Sequence, residues 1–268
     1  MTSYAEVRPT QRTPFARYRH SLWLLTKRDL RVRYSTSALG YVWSILDPLL
    51  MAGIYYFVFV VIFHRGGNVG EEPYIVFLLS ALLPWVWFNG TISDCTRAFL
   101  REAKLIRSTT IPRTIWVNRI VLSKGIEFIA ALPVLAIFAI LFHAPPDGYA
   151  LLFPLAIVLQ AILTMGVGLI VAPLVVFFRD LERAIKLILR LLFYASPIVY
   201  SATDVPHGLR DVIAFNPLTG IFSLYRAAFF SVELNWATIG VSAAMSIVLL
   251  VIGLLVFSRA QRAVLKEI

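Results

Sequence analysis

Six long apolar runs divide the chain, at about residues 39–63, 74–96, 115–142, 149–178, 184–201 and 236–258. Each is long enough, as a helix, to cross a hydrocarbon core of roughly 30 Å. The runs are continuous rather than alternating, which argues against a transmembrane barrel. The pattern predicts an all-α integral membrane protein whose six-helix domain covers 39–258. Residues 14–34 follow another rhythm. Phe15, Tyr18, Leu22 and Leu25 recur at helical spacing, and Arg17, Arg19, Lys27, Arg28, Arg31 and Arg33 fill much of the rest. That stretch predicts an amphipathic helix in the membrane interface. Residues 1–13 read as a flexible tail, and residues 1–36, polar and basic, lack the short apolar core and cleavage site of a signal peptide.

Charge gives the runs a direction. Residues 1–38, 97–124, 179–190 and the tail 259–268 together hold 22 of the 25 Lys and Arg, while 64–73, 143–148 and 202–235 hold three. The positive-inside rule then puts both termini in the cytoplasm. The segment "DVIAFNPLTGIFSLYRAAFF", Asp211 to Phe230, is apolar enough to count as a seventh span. A seventh crossing would carry Arg259, Arg262 and Lys266 outside, against the rule. Asn216-Pro217 and Thr219-Gly220 also interrupt a helix. An external re-entrant hairpin over 205–231, including Arg226, fits better, because broken backbone at membrane depth is tolerated where protein or a water-filled cavity covers it.

Composition narrows the function classes. The chain is 59% hydrophobic and 15% charged, with a mean hydropathy of +0.78. Its net charge of +10 is mostly a topology signal, so it does not call for nucleic acid. The single Cys95 cannot form an internal disulfide, and His20, His64, His143 and His207 are scattered, so no metal site is expected. No G-x-x-x-x-G-K-[ST] phosphate loop is present. No nucleophile, base and orienting acid form a credible set, which disfavours an enzyme such as a membrane glycosyltransferase. An ion-coupled carrier needs ionisable groups near the midplane. Asp47 and Asp94 sit toward segment ends, and Glu127 is the one deeper acid, with Arg119 and Lys124 as possible partners.

Aromatics and one loop carry the remaining chemistry. Clusters at Tyr55, Tyr56, Phe57, Phe59, then Trp85, Trp87, Phe88, Asn89, and then Phe193, Tyr194, Tyr200 exceed what interfacial belts require. Aromatic faces stack on the C–H faces of sugars, and Tyr and Asn bond to their hydroxyls, so a carbohydrate path is expected along some of them. The cytoplasmic loop from Thr96 to Trp116 holds a short amphipathic helix over 97–107, carrying Arg97, Arg101, Glu102, Lys104 and Arg107. Its regularity suits docking to another protein.

Four stretches, "RDLRVRYSTSALGYVWSILDPLL", "RSTTIPR", "FFRDLERAIKLILRLLFYASPIVY" and "FNPLTGIFSLYRAAFF", occur in order. With them the chain resembles, over nearly its whole length, the membrane subunit of ABC type-2 polysaccharide exporters, which move O-antigen, teichoic acid or related lipid-linked glycans. The acid before Pro48 is Asp47, where many relatives carry Glu. The resemblance implies an interface helix, six spans, a cytoplasmic coupling helix and a re-entrant hairpin. It also implies a location in the bacterial inner or plasma membrane. One copy has too few helices to enclose a wide path, so a second copy is expected on a two-fold axis. Two ATP-binding cassette subunits would hold the ATP and Mg, this chain holding no cofactor. The cargo would be a polyprenyl-pyrophosphate-linked polysaccharide. Arg28, Arg31 and Arg33 are candidates for its pyrophosphate, because Arg suits bidentate phosphate contact, and for anionic membrane lipid. Asp47, expected to pair with an Arg, and Pro48 would stand near a gate. A type-2 permease for a drug or small lipid, and less readily an ion-coupled carrier, share much of this pattern.

Overall fold

A computed structural model describes residues 13–35, 40–62 and 70–267, so all of the expected flexible tail except Thr13 lies outside the described residues. Helix dominates, and no strand occurs among the described residues. In order the helices are α1 (Pro14–Ser35), α2 (Trp43–Tyr56), α3 (Tyr74–Cys95), α4 (Ala98–Arg101), α5 (Ala103–Ser108), α6 (Ile115–Leu141), α7 (Phe153–Phe177), α8 (Leu181–Ala195), α9 (His207–Ala214), α10 (Pro217–Ala227) and α11 (Trp236–Glu267). α2 runs through Pro48 and winds on as a π-helical turn over Phe57–Ile62.

Among the described residues five helical stretches are long and apolar enough to cross a membrane: Ile45–Ile62, Tyr74–Cys95, Ile115–Leu141, Gly148–Phe177 and Trp236–Glu267. The run expected to span over 184–201 departs from this. Its helix α8 has 15 residues and, at 1.5 Å per residue, a length of about 22 Å. Ser196-Pro197 ends it, since the residue before a proline leaves the helical region. Ser196 is extended at φ −104° and ψ 145°.

α3 is the central post, with 17 of its 22 residues buried. α7 and α11 approach backbone to backbone. A Cβ on Gly166 would lie 2.6 Å from the Leu250 nitrogen, and one on Gly253 would strike the Gly166 carbonyl. At one end of the bundle α1, α4 and α5 gather beneath α6, and Phe257, Val264 and Leu265 of α11 pack there against Phe99, Ile106 and Trp116. Both α1 and the C-terminal turn of α11 therefore sit at this basic end. At the far end the Gly70 amide donates to Asp204 Oδ2 at 2.9 Å, and the Asp147 amide to the Ala228 carbonyl at 2.8 Å.

These contacts locate the short α8. Glu182, at its start, bonds to Arg97 at the basic end, whereas Asp204 lies at the far end. The chain traverses the bundle between them through α8 and the irregular Ser196–Tyr200. α9 and α10 then leave the far end and return to it. Asn216 caps α10 by accepting from the Leu218 amide at 3.0 Å, and its side-chain amide donates to Ser196 Oγ at 2.7 Å. The interruption read at Asn216-Pro217 is the joint between these two helices.

Candidate functional site

The basic end is built from ion pairs. Lys27 to Arg33 hold one acid among four cations, and that acid, Asp29, points to Arg119 of α6 at 2.7 Å. Arg28 reaches Glu102 at 2.5 Å, and Arg119 lies 3.4 Å from the same carboxylate. Arg33 meets Asp94 of α3 at 2.7 Å and Glu127 of α6 at 3.1 Å. Lys124 adds a bond to Glu127 at 2.9 Å. Burial pushes the Asp29 carboxyl up, and the guanidiniums of Arg119 and Arg28 act against it. α1 is thus pinned to α3, α6 and the loop beyond α3. Tyr18 adds a contact, its hydroxyl accepting from Asn118 Nδ2 at 2.7 Å.

Two of the three arginines considered for phosphate therefore already hold carboxylates. Arg31 is exposed. Asp47 is exposed as well and lines a cavity of about 290 Å³ with Arg33, Trp43, Lys124 and Glu127. No cation is brought to it among the described residues. Among the described residues no Arg pairs with Asp47, and the nearby Arg33 bonds instead to Asp94 and Glu127. Pro48 is buried beside it.

The loop after α3 is not one helix over 97–107. Glu102 interrupts it at φ −111° and ψ 15°, separating α4 from α5. No Gly or Pro marks this break. The carboxylate is drawn instead toward Arg28 and Arg119, which hold it in a non-helical conformation. Arg97 joins Glu182 through Nε at 2.9 Å, and Lys186 reaches the same oxygen at 2.7 Å. Those bonds hold the Glu182 carboxyl down to about 2. Arg101, Lys104 and Arg107 stay exposed. Asp29 and Glu182 are the residues whose part the sequence reading missed. A lone acid within a basic run was the available signal for Asp29.

The aromatic candidates separate into two faces of α3. Tyr55 stacks on Phe193 at 5.5 Å, Trp85 meets Phe193 edge-on at 5.5 Å, and Tyr194 meets it at 5.1 Å. Phe59 extends the group from Tyr55 at 6.5 Å, and Phe88 from Trp85 at 5.9 Å. Tyr200 donates to the Tyr194 carbonyl at 3.0 Å. α2, α3 and α8 therefore share one aromatic wall, of which Tyr194 is 61% exposed. Tyr56 and Asn89 are half-buried outside these ring pairs. Trp87 turns the other way. It stacks on Phe128 at 5.2 Å and donates to the Val121 carbonyl at 3.2 Å.

Beyond α8, Arg226 is 1% exposed. It donates to the carbonyls of Ile198 at 2.8 Å and Tyr200 at 3.3 Å, lies 3.5 Å from the Phe77 ring centre, and stands 3.7 Å from Glu233. This side chain satisfies the irregular backbone that follows α8. Among the described residues, no group of His, Cys, Asp and Glu is arranged to hold a metal.

A family model described as "ABC-2 type transporter" matches residues 20–230, from the middle of α1 to beyond α10. The chain belongs to the ABC-2 type transporter family. Three relatives carry the name O-antigen export system permease protein RfbA, two of them from Klebsiella pneumoniae. One Klebsiella pneumoniae protein is 35% identical over 239 residues, covering 89% of this chain and 91% of its own length. The Myxococcus xanthus protein is 29% identical over 236 residues, covering 87% and 89%. The polysialic acid transport protein KpsM of Escherichia coli is 24% identical over 246 residues, covering 89% and 92%. In this ABC-2 member the matched region contains most of the pinned helix α1, the interrupted loop, the aromatic wall and the α9–α10 joint.

Proposed function

We propose that this chain is the membrane-spanning subunit of an ATP-driven exporter that moves a lipid-linked polysaccharide to the outer side of the bacterial inner membrane. The observation that carries the reading is the correspondence, over nearly nine-tenths of the chain, with permeases named for O-antigen export and polysialic acid transport. Two copies face each other and two ATP-binding cassette subunits dock at the basic end, bringing ATP and Mg. The chain is not itself an enzyme. Both termini are cytoplasmic and six crossings are made, the fifth by α8 with Ser196–Tyr200. The α9–α10 pair is a re-entrant hairpin entered from outside.

In this reading the exposed Arg101, Lys104 and Arg107 meet the ATPase, and Arg97 and Glu102 pass its movement to α8 and α1. Arg31 offers the first contact to the carrier pyrophosphate, while Arg28 and Arg33 hold the helix that presents it. The wall of Tyr55, Trp85, Phe193 and Tyr194 offers stacking faces to the sugar chain, an interaction aromatic side chains supply without fixing a particular sugar.

The test is reconstitution with the partner ATPase in vesicles loaded with lipid-linked glycan. Export should require a partner with an intact Walker lysine, and ATP hydrolysis should rise with added glycan. Export by the permease alone would make it a carrier. Stimulation by small amphiphiles but not by glycan would assign it another cargo.

A further inference from the structure

We propose that the cavity between α1, α2, α3 and α6 binds the head group of a phospholipid bearing a primary ammonium, with the lipid tails lying along α2. The cavity measures about 290 Å³. Leu83, Val86 and Phe128 form its apolar wall, and its charged rim comprises Arg33, Asp47, Lys124 and Glu127. Arg33 and Lys124 are already matched by Asp94 and Glu127. Counting Asp94, which holds Arg33 from outside the cavity, two cations meet three carboxylates, and Asp47 is the acid on the rim left without a partner among the described residues. A phosphate or pyrophosphate alone would enter a site already short of positive charge. An ammonium supplies the missing cation, and a phosphate attached to it can turn toward Lys124.

Trp43 strengthens this assignment. It stands one helical turn before Asp47, so both side chains share a face of α2. It is 41% exposed at the cavity rim. An indole beside a carboxylate attracts an ammonium through its ring face and through charge. The same face continues toward the far end with Leu50, Met51 and Ile54, which are 54%, 46% and 58% exposed. α2 starts at the basic end, so a head group at Trp43 and Asp47 sends its tails toward the bundle's middle. That is the orientation of a lipid in the leaflet at the basic end. The proposal rests on the membrane topology read above, but on neither the cargo nor the ATPase.

The experiment uses the purified full chain in nanodiscs of equal phosphatidylethanolamine, phosphatidylcholine and phosphatidylglycerol, read by native mass spectrometry after mild delipidation. Phosphatidylethanolamine should be retained about tenfold over the other two. Asp47→Asn and Trp43→Ala should each lower that preference several-fold. Asp47→Glu should keep it, and Glu71→Gln at the far end should leave it unchanged, all with unaltered thermal unfolding midpoints. Equal retention of the three lipids, preference for the glycerol head group, or indifference to Asp47→Asn would overturn the proposal. So would full disulfide cross-linking between copies at Leu50→Cys without lipid loss, which would give this face to a second copy. Because no nucleotide or glycan is present, loss of lipid preference leaves the export reading intact, and failed export leaves this one intact.

Discussion

Arg226 shows how much one side chain can decide. Its guanidinium fills the gap between the α10 helix and the irregular strip after α8, bonding to two carbonyls and lying over Phe77. Removing a buried charged partner costs about 3–5 kcal/mol, since the groups it served are left buried and unpaired. Arg226→Ala should therefore lower the unfolding midpoint in detergent sharply. Arg226→Lys should recover only part, because an ammonium cannot fork to two carbonyls and lie flat on a ring. The glycines of the α7–α11 contact make a second residue-scale case. Gly253→Val drives a branched side chain into the Gly166 backbone, and overpacking of this kind costs about 1–3 kcal/mol. Gly240→Ala in the same helix meets nothing within 4 Å and should be neutral or stabilising by up to about 1 kcal/mol. Thermal unfolding of both variants tests the contrast. The sequence marked Arg226 as a lone cation in an apolar segment, but Phe77 was one apolar residue among many in a span. Its part depends on a contact between residues far apart along the chain.

At the scale of elements, the segment between α3 and α6 is wired to both neighbours. Glu102 joins it to α1 and α6, and Arg97 joins it to α8. The Arg97–Glu182 pair is partly exposed, and such pairs add little stability. Its effect should appear instead in coupling, as glycan exported per ATP hydrolysed. Arg97→Glu and Glu182→Arg should each lower that ratio several-fold, and the double exchange should restore most of it with midpoints unchanged. Because the Glu182 carboxyl is held down to about 2, its contribution is fully present above its ordinary value near 4.5 and is lost only as pH falls toward 2. Coupling through this pair should thus be flat from pH 5 to 8, and a titration of the ratio in that window checks it. The sequence made the amphipathic character of 97–107 legible. It did not show the break at Glu102, because no helix-breaking residue stands there and the competing partners come from α1 and α6. Likewise the basic run 27–33 was legible, but Glu102, Asp94 and Glu127, which meet Arg28 and Arg33, stand 61 to 94 positions away from them in the chain.

For the whole molecule, the proposed six crossings must arise from five long helices. Five crossings alone would leave the basic tail of α11 on the opposite side from α1, against the charge distribution and against the packing of Val264 beside Phe99. In the topology proposed here a traverse by α8 resolves this. Its helix covers about 22 Å, and Ser196–Tyr200 complete the distance to Asp204 at the far end. Non-helical backbone inside a bilayer needs protein partners for its polar groups. Arg226 supplies them to Ile198 and Tyr200, and Ser196 to Val199 are buried. In that proposed topology the α9–α10 pair supports the short crossing. Cys95 is the chain's one cysteine and is buried, so Cys95→Ala gives a silent background for labelling. In that background Leu209→Cys should react with a membrane-impermeant maleimide on intact cells. Ala184→Cys and Lys266→Cys should react only after permeabilisation. Labelling of Lys266→Cys from outside would leave α8 on one side of the membrane and remove the traverse, whereas protection of Leu209→Cys on intact cells would reverse the assignment of the far end.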